Sequence, residues 1–151
     1  MDAELSCYFT KLADQRLATE LATGLATPDG GSAVGHRQRM TMIMNAVCCF
    51  LNPASELYHD DQVGNAAAVW ATAYGALQDP SGLFSSSGNI SSVPDSGFSL
   101  NDACRTVLLL RSYDVLPGLR VRLQMIIDQA TPALVSGGVH TPNHRWEVSV
   151  L

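Results

Sequence analysis

The residues best placed to do chemistry stand near the end of the sequence, in Thr141-Pro142-Asn143-His144-Arg145-Trp146. Thr141 followed by Pro142 reads as an N-cap and a first helical position, where the missing proline N–H costs nothing. Asn143 and His144 then fall in a first turn, among unpaired backbone N–H groups and the positive end of the helix dipole. That setting suits an anion, and an imidazole there can give or take a proton near neutral pH. The plain alternatives are a capping amide for Asn143 and a carbonyl-bonded imidazole for His144. For Arg145 they are a solvated or ion-paired side chain, and for Trp146 a core ring instead of a sugar platform.

Gly137-Gly138-Val139-His140-Thr141-Pro142-Asn143-His144-Arg145-Trp146 resembles the segment that opens a catalytic-side helix in heparinase II/III-like and alginate-lyase-type proteins. The runs Ser87 to Phe98 and Asn101-Asp102, and the alanine-rich stretch before Gln78-Asp79-Pro80-Ser81-Gly82-Leu83-Phe84, resemble further segments of the same proteins. The resemblance implies an (α/α) toroid and β-elimination on a uronate-containing polysaccharide. Asn143 and His144 would be its catalytic pair, and Asn89, Arg145 and Trp146 would contact substrate. An amide at Asn143 would hold the uronate carboxylate, and His144 would assist charge neutralisation or proton abstraction. The family also uses a tyrosine and a histidine further along the toroid. Tyr8, Tyr58, Tyr74 and Tyr113 do not match that place, so the sequence reads as the front part of a larger helical domain with an incomplete catalytic set.

Other clusters read more simply. His36, Arg37 and Arg39 look like a solvated patch at the start of a helix, where cations are not favoured. Tyr58-His59-Asp60-Asp61 cannot turn all its donors to one ion on a helix and reads as a cap at Asp60 or Asp61. Met40, Met42, Met44, Cys48 and Cys49 form a soft packing stripe. Asn89 and Asp95 line a cleft if the resemblance holds and otherwise serve turns. No C-x-x-C occurs, so a zinc site has nothing to start from, and neither a metal site nor a cofactor is expected.

The elements that must position these residues are helical. Apolar positions recur at three-to-four spacing from about Ala3 to Leu25, Val34 to Leu51, Asp61 to Gln78, Gly97 to Tyr113 and Pro117 to Val135. A sixth helix would start at Pro142. Between the third and fourth, residues 79–96 form a long turn-rich connection. The expectation is an all-α chain, residues 1–151 as one domain or partial toroid, with five to six helices in hairpins.

Composition sets the remaining bounds. Charged residues make up 15% of the 151, against roughly 25% in ordinary soluble domains, so apolar helix faces are expected to meet another protein surface. A net charge of -5 argues against nucleic acid. No run reaches the roughly 20 apolar residues of a membrane span, and the acidic start Met1-Asp2-Ala3-Glu4 lacks a secretory pattern. Four cysteines without framework spacing suit a reducing compartment, so the cytoplasm is expected. Two readings compete with the lyase: a non-enzymatic helical interaction module, self-associating through an apolar face, and a glycoside hydrolase using Asp95 and Asp102.

Overall fold

A computed structural model describes residues 2–22, 34–86 and 89–137. It is all-α: among the described residues there are five helices and no strand, only two isolated bridges at Gln78–Phe84 and Ser86–Asn89. The helices are α1 (Ala3–Ala22), α2 (His36–Leu51), α3 (Asp61–Gly75), α4 (Val93–Tyr113) and α5 (Pro117–Ser136).

Helices α2 to α5 close a ring in which α2 packs on α3 and α4, and α5 packs on α3 and α4. Each turns a three-to-four-spaced stripe inward: Met40, Ile43, Val47 and Phe50; Val63, Ala67, Trp70 and Tyr74; Leu100, Ala103, Val107 and Leu110; Leu119, Leu123, Ile126 and Ala130. The small residues of α3 let its neighbours come close. A Cβ on Gly75 would lie 3.2 Å from Ile126 Cδ1 on α5, which shows how little space separates the two helices.

Local sequence explains the boundaries. Asp60 caps α3, its carboxylate accepting from the Gln62 N–H at 2.7 Å. Helix α3 stops at Gly75, three residues short of the sequence expectation, because residues 76–78 turn to start a strap across the ring. Helix α4 begins at Val93, so the connection expected over 79–96 is shorter. Ser92 accepts from the Asp95 N–H at 3.2 Å, and Pro94 sits in the first turn. Helix α5 continues through Pro132 to Ser136.

The strap, described over residues 76–86 and 89–92, is tied to α5 by one side chain. Gln78 Nε2 donates to the Gly82 carbonyl at 2.7 Å and to the Ile126 carbonyl at 2.9 Å. Gly82 has φ +86°, and a Cβ there would fall 2.2 Å from the Gln129 carbonyl oxygen, so this crossing admits only glycine. Leu83 and Phe84 then drop into the core.

Helix α1 lies outside the ring, against α2. Leu17 is its one fully buried apolar side chain. Ala13 and Leu21 pack against the core part-buried beside it, and polar contacts complete the attachment: Asp14 accepts from Ser55 Oγ at 2.5 Å and the Glu56 N–H at 3.0 Å, and Asn52 Nδ2 donates to Thr10 Oγ1 at 3.2 Å.

Candidate functional site

The first turns of α2 and α4 meet beside the strap, and the densest polar cluster among the described residues lies there. Asp95, buried in the first turn of α4, is its hub. Its carboxylate is ion-paired with Arg37 and accepts from Ser92 Oγ at 2.8 Å and Asn89 Nδ2 at 3.1 Å. The Arg37 guanidinium also lies over the Phe98 ring, 4.5 Å from its centroid. An arginine at a helix start opposes the dipole, and the Asp95 carboxylate compensates it.

Behind this hub runs a second chain of polar contacts. Tyr74 Oη donates to Ser99 Oγ at 3.1 Å, and Ser99 Oγ lies 2.9 Å from His36 Nδ1 and 3.2 Å from the Ser96 carbonyl. His36 and Tyr74 sandwich Phe84, with centroids 4.8 Å and 4.7 Å from it. Burial and the neighbouring Arg37 charge, only partly opposed by Asp95, depress the His36 pKa to about 4. The ring is therefore neutral at pH 7, and its buried Nε2 has no hydrogen-bond partner. Burial likewise raises the Tyr74 phenol above its ordinary value, with the Ser99 hydrogen bond opposing. A serine beside a histidine is the combination used by hydrolases, but both side chains here are buried and clamped by stacking and hydrogen bonds. Their arrangement locks the α2–α4–strap junction. It offers a substrate no exposed nucleophile.

An open depression of about 370 Å³ adjoins the cluster, lined on α2 by Arg37 and Thr41 and on α4 by Phe98, Asn101, Asp102 and Arg105. Its arginines and amide can meet a carboxylate. Asp102 lines the depression and Asp95 neutralises Arg37, so its net field is small.

The structure places the sequence candidates unevenly. Asn89 is brought to the Asp95–Arg37 hub, where it serves as a donor to Asp95. Asn143, His144, Arg145 and Trp146 lie outside the described residues. The solvated patch expected at His36, Arg37 and Arg39 is corrected: His36 and Arg39 are each 3% exposed, because the start of α2 is covered by α4 and the strap. Asp95 spends its oxygens on structural donors, so the carboxylate pair considered for hydrolysis lacks one accessible member. Among the described residues no group of three or more His, Cys, Asp or Glu could hold a metal ion, and no helix is long and apolar enough to cross a membrane.

Two apolar surfaces complete the inventory. On α1, Leu5 (49% exposed), Tyr8 (57%), Phe9 (55%) and Leu12 (43%) fall at i, i+3, i+4 and i+7. They lie across the helix from Thr10, Asp14 and Leu17, which face the ring. The Tyr8 and Phe9 rings already meet edge to face at 5.8 Å. On the outer side of α4 and α5, a groove of about 520 Å³ has Val107 and Ile127 beside Leu108 and Val121 and is rimmed by Arg111 and Arg120. Sequence reasoning gave the first stripe its period but not its side, since both sides of α1 carry apolar residues. The groove has no sequence signal, because it forms only when α4 folds back on α5.

No protein-family model, curated protein or solved structure matches the chain.

Proposed function

We propose that this protein is a helical interaction module that self-associates through the outward face of α1. The observation that carries the reading is the exposure of Leu5, Tyr8, Phe9 and Leu12 at the spacing by which an amphipathic helix anchors in a partner's groove. Four half-exposed side chains of this size offer on the order of 400 Å², about half of what each partner contributes to a standard interface. A reversible, concentration-dependent association follows. The low charged content fits the same picture, since fewer charges remain to keep copies apart. Sedimentation velocity over a concentration series tests it: the wild-type chain gains mass up to about 100 μM, and Tyr8→Glu/Phe9→Glu remains a monomer. A wild-type monomer throughout would sink the reading.

A second reading is the uronate lyase implied by the resemblance, with the five helices as part of an (α/α) toroid. Asn89 donates to Asp95, the ion-pair partner of Arg37, and Arg37 lines an open depression with Asn101, Asp102 and Arg105; that placement is the observation in its favour. Asn143 and His144 would supply the chemistry, and Arg145 and Trp146 would hold an acidic polysaccharide. New ultraviolet absorbance from an unsaturated uronate, lost in Asn143→Ala and His144→Ala, is the expected result. No absorbance change with any acidic polysaccharide would dismiss it.

A further inference from the structure

We infer that the partner surface for α1 is the α4/α5 groove of a second copy, so that association runs head to tail; this rests on the self-association reading above. Within one copy the two surfaces are separated. Helix α1 packs on α2, while the groove opens between α4 and α5, so neither covers the other. Each is a half-site of the other's kind. The donor is a single helix with apolar side chains at i, i+3, i+4 and i+7, and the acceptor is an apolar trough between two helices.

Charge points the same way. Asp2 and Glu4 precede Leu5 at the start of α1, whereas the groove is lined by Arg111 and Arg120 and by no acidic residue. Arg120 reaches only the highly exposed Asp114, at 3.6 Å, an ion pair that solvent weakens and a partner carboxylate can replace. Two α1 stripes set against each other would instead bring together acidic starts or leave both grooves empty. The apolar side chains of the acceptor are open to a partner: Leu108 and Val121 in the trough, and Met125 one turn beyond Val121 on α5, are each more than half exposed.

A contact between two different patches is heterologous, and each docked copy leaves one free stripe and one free groove. The wild-type chain therefore grows beyond a dimer with concentration. Two variants at exposed positions separate the patches: Tyr8→Glu/Phe9→Glu blocks the donor, and Leu108→Glu/Met125→Glu blocks the acceptor. Circular dichroism first verifies that both keep wild-type helicity and a cooperative thermal transition.

Light scattering then reads the mass. Each variant alone is a monomer, and an equimolar mixture forms a species of twice the monomer mass and nothing larger, because one intact stripe meets one intact groove. If the acceptor-blocked variant still self-associates, or the mixture fails to pair while the wild-type chain associates, the head-to-tail inference is wrong and the α1 reading survives. If the donor-blocked variant associates as the wild-type chain does, or the wild-type chain never associates, the α1 reading falls with it.

Discussion

His36 and Phe84 lie face to face, with ring planes 11° from parallel and centroids 4.8 Å apart. The first residue of α2 thereby rests on the strap, and its protonation state becomes part of the fold. In the unfolded chain the imidazole titrates near its ordinary value of 6.5, whereas in the folded chain it titrates at about 4. Above pH 6.5 neither state binds the proton and the full stability is present. Between pH 6.5 and 4 the unfolded state alone takes it up, so stability falls by as much as about 3 kcal/mol and then levels off. Urea midpoints measured at intervals from pH 7.5 to 4 should show this decline, and His36→Phe should flatten it. An unchanged slope in that variant would assign the acid sensitivity to other groups.

Asp79 adds a second acid effect at lower pH. Burial alone raises its carboxyl, but hydrogen bonds from Ser81 and Ser91 outweigh it and hold the pKa below the ordinary range. Stability from this group is present above the unfolded value of 3.8 and is lost as pH falls through the depressed one. Asp79→Asn should reduce the loss below pH 4 and leave the His36 window as it is.

Gly82→Ala should cost about 2–4 kcal/mol, because the added Cβ meets the α5 backbone and the positive φ strains any L side chain. Gly118→Ala, near the start of α5 with nothing within 4 Å, is the control. It should be neutral or stabilising by up to about 1 kcal/mol. Equal effects at the two positions would mean that the strap is not seated on α5.

Asp95→Ala should destabilise more than Arg37→Ala, by about 2–3 kcal/mol against 1 or less. Losing the carboxylate strands the donors of Asn89 and Ser92 beside a cation, whereas the Arg37 side chain is 42% exposed and its loss leaves Asp95 with its other donors. A double-mutant cycle in urea gives the coupling. The reverse ranking would remove Asp95 from its place as hub.

The thiols should divide three to one under alkylation. Cys7, Cys48 and Cys104 are exposed, although partial burial also raises the Cys48 and Cys104 thiols; Cys49 is buried and its pKa is pushed up to about 12, first by burial and then by Asp14. Mass spectrometry of the native protein after iodoacetamide should find Cys49 unmodified until denaturant is added.

Much of the fold was legible because its signals are local. Met40, Ile43 and Val47, or Leu119, Leu123 and Ile126, mark buried helix faces by spacing alone, and Asp60 marks a cap by type and position. The start of α4 was missed because Ser92-Val93-Pro94-Asp95, a cap with proline in the first turn, follows a serine-rich run that resembles a loop. The candidate site was less legible. His36 and Arg37 stand where a charge is disfavoured, and nothing near them in sequence reveals the Ser99 hydroxyl, the Phe84 ring or the Asp95 carboxylate. Those partners arrive from 48 to 63 positions away.

The way the strap crosses α5 also sets an order of assembly. Three residues join α4 to α5 and nine join α2 to α3, so each pair can close by short-range contacts. The Gln78–Ile126 bond spans 48 positions, a longer loop to close than either pair needs. The molecule should therefore collapse as two helical hairpins and be sealed last at Gly82. In native-state hydrogen exchange, amides of the strap should open at lower free energy than those of the four ring helices, leaving a partly unlatched state with both hairpins intact.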